Sequence, residues 1–278
     1  MLKLILIITL CAPDLSAMES AYTSALDFSV VERGAISSSL ASVWAAPKMR
    51  GHAYTLLRSV GEANVYLRFI QLDATPSYRP MRTFGWNGAI IPVQDLAALT
   101  AKIHDGHSGF QIVEESQPSA IRVVGPAREV LSLTGDPAAA ASVRLVLAVP
   151  DLPMTQRFFH DRLEMEVGKT TQAPNAMLSE AFSLDADTKH PFALVHLAPT
   201  YSIELNGFPM KAKRRPQRKG ELPPALSIVT FKTASLDSVR ALLISAPKRI
   251  SSAPYNGRRV AAMRGTALEL IEVVEDVK

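Results

Sequence analysis

The chain has 278 residues, of which 47% are apolar and 20% charged, so it is long enough for one large or two ordinary domains and too apolar to be disordered throughout. Its single cysteine, Cys11, excludes an internal disulfide framework and a zinc site built from several cysteines. The formal net charge is +4, but residues 211–219 carry six cations, and the rest of the chain is mildly acidic.

The basic segment within residues 209–222 is interpreted as a solvated linker. A nucleic-acid site would need further basic residues on folded faces and aromatic side chains to stack on bases, and the sequence indicates neither. No stretch reaches the roughly 18 apolar residues of a membrane-spanning helix. We therefore expect neither nucleic acid nor a membrane as a partner.

Residues 1–12 are almost entirely apolar and have two interpretations. They are similar to a short secretory signal with one positive charge, Lys3, and they also fit a buried strand that ends before Pro13 and Asp14. The internal repeat favours the strand. We therefore predict a cytoplasmic location.

The sequence repeats itself after about half its length. The segment that starts at Ala12 aligns without a gap with the segment that starts at Val149, 137 residues further on, and both carry Pro-Asp-Leu at their start. The same spacing places residues 120–136 on residues 257–273. A repeat of this kind indicates duplicated supersecondary units.

Each half divides again into two units that begin with an apolar strand. The predicted first strands cover residues 5–12, 88–93, 143–149 and 227–233. An Asp or Ser that can cap a helix follows each strand, and apolar residues then recur at three- and four-residue steps, as in Leu96, Leu99 and Ile103. Three further strands complete each unit. The sequence thus predicts an α+β fold of four βαβββ units.

These four units resemble the vicinal oxygen chelate superfamily, which includes glyoxalase I, bleomycin-resistance proteins and extradiol dioxygenases. The resemblance is carried by Val-Pro-Asp-Leu and Phe-Phe-His-Asp-Arg-Leu in the third unit and by Leu-Glu-Leu in the last strand. It implies two tandem domains, residues 1–136 and 142–278, each with two units whose mixed sheets curl around a cavity. The Ala-rich segment between them, with Gly135 and Pro137, suits a domain boundary.

Metal-dependent members of this superfamily place a His or similar ligand on the first strand of a unit and a Glu in the last strand. The corresponding first-strand positions, seven residues before the capping Asp, hold Ile7, Gly88 and Arg144 in the first three units. None of these residues is a histidine or a carboxylate, the donors that such a site needs. We therefore expect neither a metal nor another cofactor.

The last-strand position keeps acidic residues only in the second half. There the resemblance assigns it to Glu204 and Glu269, whereas the first half has Arg68 and Ser132. Arg144 is expected to pair with the two carboxylates and to oppose a cation. The resemblance thus implies a superfamily member that lacks the usual metal in its second-half cavity.

His196 is the predicted partner of Glu204. If residues 199–201 form a hairpin turn, the two side chains face each other, and the carboxylate orients the imidazole for acid–base catalysis. Arg144 is expected to stabilise a developing enolate, and Glu269 to act as a second acid–base group. These predicted catalytic residues support a metal-independent isomerase or lyase that transfers a proton on a small carbonyl-bearing or aromatic metabolite. The alternative is a buried polar network without catalysis.

The connector between the first two units holds Arg82, Trp86 and Asn87 close together. With Arg68, these residues are predicted to line the first-half cavity and to bind an acidic, planar substrate. The alternative is an ordered connector whose tryptophan packs on the domain.

Two other functions stay open. One is a binding or sequestration protein similar to the drug-resistance members, which need no catalytic groups. The other is a divalent-metal dioxygenase or glyoxalase with Glu204, Glu269 and His196 as atypical ligands. In all three cases the predicted partner is a small molecule, and the sequence allows a homodimer.

Overall fold

Four units of the predicted kind make up the computed structural model of the chain, which describes residues 2–59, 65–117, 119–136, 143–197 and 201–276. Unit 1 consists of β1 (Leu2–Ala12), α1 (Leu15–Ala25), β2 (Phe28–Ala35), α2 (Ser38–Val43), β3 (Ala53–Ser59) and β4 (Tyr66–Gln71). Unit 2 consists of β5 (Gly85–Pro92), α3 (Leu96–His104), β6 (Gln111–Gln117), β7 (Ala120–Val124) and β8 (Val130–Thr134).

The second half of the chain supplies the other two units. Unit 3 consists of β9 (Val143–Val149), α4 (Leu152–Arg157), β10 (Glu166–Val167), β11 (Thr171–Pro174), α5 (Ala176–Ala181), β12 (Lys189–His196) and β13 (Tyr201–Gly207). Unit 4 consists of β14 (Ala225–Thr233), β15 (Lys248–Ile250), β16 (Arg258–Arg264) and β17 (Leu270–Glu275). The segment predicted as the domain boundary lies mostly outside the described residues.

Three of the four unit helices begin where the sequence predicts. The side chains of Asp14, Asp95 and Asp151 each accept a hydrogen bond from the backbone N–H three residues later, which caps the helix. In unit 4 the predicted helix is instead a 3-10 helix over Asp237–Leu242, whose first turn has no side-chain cap. No helix among the described residues is long and apolar enough to cross a membrane. The cytoplasmic location and the homodimer stay predictions.

Antiparallel pairing of the first strands joins the units into two sheets. β1 pairs with β14, and β5 pairs with β9. Sheet A has the order β15-β16-β17-β14-β1-β4-β3-β2. Sheet B has the order β10-β12-β13-β9-β5-β8-β7-β6, and β11 pairs with β12. Each sheet therefore combines one unit from each half, units 1 and 4 in sheet A and units 2 and 3 in sheet B.

This pairing differs from the arrangement that the resemblance implied, in which the sheets of the two units of each half curl around a common cavity. In every unit the last strand lies parallel to the first strand and occupies one of its edges. The other edge of each first strand needs a partner for its backbone N–H and C=O groups. Units 2 and 3, which are consecutive in sequence, provide that partner for each other, and units 1 and 4 are left to pair together.

One apolar core lies between the two sheets. It contains residues of both sheets and of the helices α1, α3 and α4, including Phe159 and Phe231, which are fully buried. Residues of the opposite parity along each first strand point away from this core. In sheet A these include Ile7 and Thr9, and in sheet B Ile90 and Arg144. The two sheets thus present their concave faces away from each other.

The concave face of sheet A is filled by the protein's own side chains. Trp44, from the turn after α2, and Tyr255 are fully buried against it. Beneath them Arg68 of β4 and Glu272 of β17 approach to 3.7 Å, with side chains only 2% and 0% exposed. We call these residues, with Thr9 and Thr230, the buried polar cluster.

Every charged group in the buried polar cluster has hydrogen-bond partners. The Glu272 carboxylate accepts hydrogen bonds from Trp44 Nε1 at 2.5 Å, Tyr255 Oη at 2.6 Å and Thr230 Oγ1 at 2.7 Å. Arg68 donates to Tyr255 Oη at 2.6 Å, and also to Thr9. A buried ion pair is stable only when its other donors and acceptors also form hydrogen bonds, because both ions have lost their hydration.

We expect Arg68→Met to lower the free energy of unfolding by about 3–5 kcal/mol, because it leaves the Glu272 carboxyl group buried without its cation. Urea denaturation measures the loss. The control is Arg33→Met, which removes an exposed ion pair with Glu19 and should have a much smaller effect. Equal losses in the two variants would contradict the assigned role of the cluster.

Candidate functional site

The concave face of sheet B, in contrast, holds a cavity of about 570 Å³. Strands of units 2 and 3 and the segment before α5 line it. The polar lining residues are Glu114, Arg122, Ser132, Thr134, Asp136, Arg144, Asn175, His190, Glu204 and Asn206. This volume is in the range of small-molecule sites, but the lining is more polar than is usual for them.

One row of directly paired residues crosses the whole of sheet B. In strand order from β6 to β10 the row contains Glu114, Arg122, Ser132, Ile90, Arg144, Ser202, His196 and Glu166. Directly paired residues project to the same face of a sheet. The row therefore places two arginines and several hydrogen-bonding groups on the concave face.

Arg144 and Glu204 form the centre of the unit 3 wall. Arg144 Nη1 lies 3.4 Å from Glu204 Oε2, and Arg144 Nε donates to Ser202 Oγ at 3.3 Å. Asn206 Nδ2 donates to the other carboxylate oxygen, Glu204 Oε1, at 2.9 Å. The Arg144 side chain is 41% exposed and the Glu204 side chain 19%. The ion pair is thus long and open enough for the guanidinium group to reach a ligand.

Unit 2 contributes a second arginine–glutamate pair to the cavity wall, and this pair is closer and less exposed. Arg122 Nη1 donates to Glu114, and Arg122 Nε lies 3.3 Å from Ser132 Oγ. The two side chains of this ion pair are only 25% and 21% exposed. Arg122 therefore contributes to the wall of the cavity, whereas the guanidinium group of Arg144 is accessible to a ligand.

His190 also lines the cavity, a position that the sequence analysis missed. It is only 5% exposed, and its Nε2 lies 2.9 Å from Ser179 Oγ of α5. Burial lowers the pKa of His190 below its ordinary value of 6.5, which favours the neutral imidazole. Its alternation with Phe192 along β12 was the available signal, but a proline follows His190, and proline is unusual inside a strand.

The fit of this site to a metal can be tested at the four positions that the resemblance implies. In sheet B they hold Gly88 and Arg144 on the first strands, and Ser132 and Glu204 on the last strands. Only one is a carboxylate, and a guanidinium group lies beside it. Within the part of the chain that the structure describes, no three His, Cys, Asp or Glu side chains are grouped to hold a metal. These residues do not fit a metal centre.

The expected pairing of His196 with Glu204 is wrong. The observed register pairs His196 with Ser202 and Leu194 with Glu204. Of the predicted turn residues 199–201, the first two lie outside the described residues, and Tyr201 begins β13. A shift of two residues preserves the face of the sheet but moves His196 to the exposed end of the row, beside Glu166.

Glu269 does not join Glu204. It lies in the turn before β17 of sheet A, where its Oε2 accepts a hydrogen bond from Ala267 N at 2.8 Å. The glutamate of β17 that points to the concave face is Glu272, in the buried polar cluster. Glu204, Glu269 and His196 therefore do not form the metal-ligand set that the sequence left open.

The four predicted substrate-binding residues lie outside the sheet B cavity. Arg68 belongs to the buried polar cluster, and Arg82 is exposed. Trp86 is buried between the sheets, where its Nε1 donates to Leu270 O at 2.9 Å. Asn87 is buried, and its Nδ2 donates to Thr83 O and Gly85 O. The interpretation of this segment as an ordered connector fits these contacts.

Comparisons with known proteins confirm the predicted fold. No known protein-family profile and no curated protein sequence matches the chain. Solved structures do: glyoxalase I from Zea mays superimposes with a TM-score of 0.67, 14% identity, and coverage of 98% of this chain and 92% of that one. A candidate dioxygenase from Bacillus subtilis gives a TM-score of 0.65, 11% identity, and coverage of 100% and 86%. The chain has a glyoxalase-like fold with two curled mixed sheets, and identities this low show the fold alone.

Burial raises the pKa of Glu269 from its ordinary 4.5 to about 7, against the opposing effects of its backbone hydrogen bonds and of Arg264. The folded state thus holds the proton more tightly than the unfolded state. The stability that this group contributes is full below about pH 4.5 and is lost as the pH rises to about 7.

Glu269→Gln should remove this dependence. As the pH rises from 5 to 7, the free energy of unfolding of Glu269→Gln should increase relative to that of the wild type by up to about 1.4 kcal/mol per pH unit. Urea denaturation at several pH values measures it. A difference that does not change with pH would contradict the buried, protonated state of Glu269.

Proposed function

We propose that the protein is a metal-independent isomerase or lyase that moves a proton on a small carbonyl-bearing acid bound in the sheet B cavity. One observation carries this proposal: Arg144 and Glu204 meet at 3.4 Å, partly exposed, on the wall of an open cavity of about 570 Å³. A cation for an oxyanion and a carboxylate for a proton are the two groups that such a reaction needs.

The reaction follows from these two groups. Glu204 takes a proton from the carbon next to the substrate carbonyl, and the C–H electron pair forms a carbon–carbon double bond while the carbonyl oxygen becomes an enolate. Arg144 donates hydrogen bonds to that oxygen or to the adjacent carboxylate. Return of the proton to carbon gives isomerisation or epimerisation. Expulsion of a leaving group with its electron pair gives elimination.

The remaining cavity residues position these groups. Asn206 fixes one oxygen of Glu204 and leaves the other between Arg144 and the cavity. The neutral His190 imidazole can exchange a hydrogen bond with a polar substrate without adding charge. A 2-oxo acid is the simplest compound that combines a carbonyl, an adjacent C–H bond and a carboxylate for Arg144.

Binding without turnover is the second candidate. It is favoured by a specific observation: both cavity glutamates, Glu114 and Glu204, already have arginine partners. Such ion pairs can hold a polar ligand without either glutamate accepting a proton. The protein would then sequester a small molecule, as the sequence analysis left open.

Proton exchange distinguishes the two candidates. We expect the wild type to accelerate deuterium incorporation at C3 of 2-oxobutanoate or 2-oxoglutarate in D2O, followed by proton NMR. Glu204→Gln should slow this exchange about 10²–10⁴-fold, the contribution typical of a general base. Arg144→Gln should weaken binding of the same acid.

The matched control is Glu166→Gln, which neutralises an exposed glutamate at the edge of the same sheet and should exchange at the wild-type rate. Exchange that persists in Glu204→Gln would overturn the assigned base. No exchange above the protein-free rate with either acid, together with binding that still requires Arg144, would overturn catalysis and establish the binding function.

A further inference from the structure

Two turns with the same sequence pattern and similar hydrogen bonds occur before the last strands of units 2 and 4. Residues 125–129 and 265–269 both read Gly-x-Ala-x-Glu. In each, the Gly N–H donates to the Glu backbone oxygen, and the Glu Oε2 accepts from the Ala N–H at 2.8 Å. A Cβ on either glycine would displace the glutamate carboxyl group, which therefore packs directly against the glycine backbone. The two glutamates, Glu129 and Glu269, are 1% and 4% exposed.

The two glutamates differ at the other carboxyl oxygen. Glu129 Oε1 accepts a hydrogen bond from Tyr22 Oη at 2.8 Å. Glu269 Oε1 is also buried, but no described atom forms a hydrogen bond with it. Glu269 has no such tyrosine, and it is one of the residues that line a small pocket of about 40 Å³. A buried carboxyl oxygen without a partner is costly, so the pocket is suited to a group that hydrogen-bonds there.

Three arginine side chains line this pocket. Its lining includes Arg264 of β16 and Arg214 and Arg215 of the basic linker. Arg215 is committed to the fold, because it donates to Leu226 O and Trp86 O. Neither Arg214 nor Arg264 forms an ion pair with a described carboxylate. The pKa of Arg264 is lowered by burial, and the nearby charge of Arg214 lowers it further.

We propose that this pocket, which we call the Glu269 pocket, binds the head group of a small oxyanion, a phosphate or a carboxylate of a free metabolite. Arg214 and Arg264 supply the positive charge, and the protonated Glu269 donates a hydrogen bond from its otherwise unpartnered oxygen. The pocket lies between sheet A and the start of β5, and it is separate from the sheet B cavity of the proposed reaction.

The size of the pocket restricts what enters it. A buried water molecule needs about 10–15 Å³, so a pocket of about 40 Å³ admits the oxygens of one head group and not a whole metabolite. The rest of the ligand extends along the exposed side of the linker, where Arg214 and Gln217 lie. The basic linker thus has a role in ligand binding besides connecting two units.

Ionisation of Glu269 sets the pH dependence of the site. The ionisable groups that line the pocket are Glu269 and the three arginines Arg214, Arg215 and Arg264, and the arginines keep their charge. Burial raises the pKa of Glu269 to about 7. Below this pH the carboxyl group donates to an oxyanion, and above it the carboxylate repels one. Oxyanion binding is therefore expected to weaken as the pH rises.

Sulfate is a suitable probe because its charge is constant across this pH range. We expect isothermal titration at constant ionic strength to show sulfate binding that is tighter at pH 6 than at pH 8.5. In Glu269→Gln the affinity should no longer depend on pH, because the amide donates a hydrogen bond at both values. The double variant Arg214→Gln/Arg264→Gln should bind sulfate at least about tenfold more weakly.

The matched control is Arg157→Gln/Arg162→Gln, which removes two exposed arginines from unit 3 and should keep the wild-type affinity. Equal sulfate affinity in the two double variants would overturn the site, as would the absence of binding in the wild type. Binding to phosphatidylserine vesicles that requires Arg214 and is not displaced by sulfate would assign the oxyanion to a lipid head group and contradict a free ligand. Urea denaturation of each variant verifies its fold.

Discussion

Antiparallel pairing of the first strands is the constraint on which the rest of this structure depends. β1 can complete its hydrogen bonding only through β14, and β5 only through β9, because the last strand of each unit already occupies the other edge. This pairing brings the first and last strands of two units onto one concave face. It also makes each face a joint product of the two halves of the chain, so that unit 3 acts with unit 2 and not with unit 4.

Both concave faces carry an arginine–glutamate pair, which is buried in sheet A and partly exposed in sheet B. In sheet A, Arg68 and Glu272 are closed off by Trp44 and Tyr255, and their charges serve the stability of the fold. In sheet B, Arg144 and Glu204 line an open cavity, and their charges are available to a ligand. Burial, and not residue type, therefore distinguishes the structural arginine–glutamate pair from the pair that we propose to be functional.

The four units could be predicted from the sequence because their signals are local: an apolar strand, a capping aspartate and a helical period. The site was less predictable because it depends on register and turns. Leu268-Glu269-Leu270 and Ile271-Glu272-Val273 have the same apolar-Glu-apolar pattern, and only a turn with Leu268 at a φ of 63° places Glu272 in the strand. A two-residue shift between β12 and β13 likewise leaves the alternation of His196 unchanged and alters only its partner. The position of Glu272 and the partner of His196 therefore both depend on long-range contacts.

The central claim, that the sheet B cavity is the substrate site and the concave face of sheet A is closed by Trp44 and Tyr255, can be tested with isoleucine methyl groups. Ile90 lines the cavity, whereas Ile7 and Ile228 pack among the buried residues of sheet A. Methyl NMR spectra recorded during titration with 2-oxoglutarate should show shifts at Ile90 and none at Ile7 or Ile228. Shifts at Ile7 and Ile228 with an unchanged Ile90 would contradict the account.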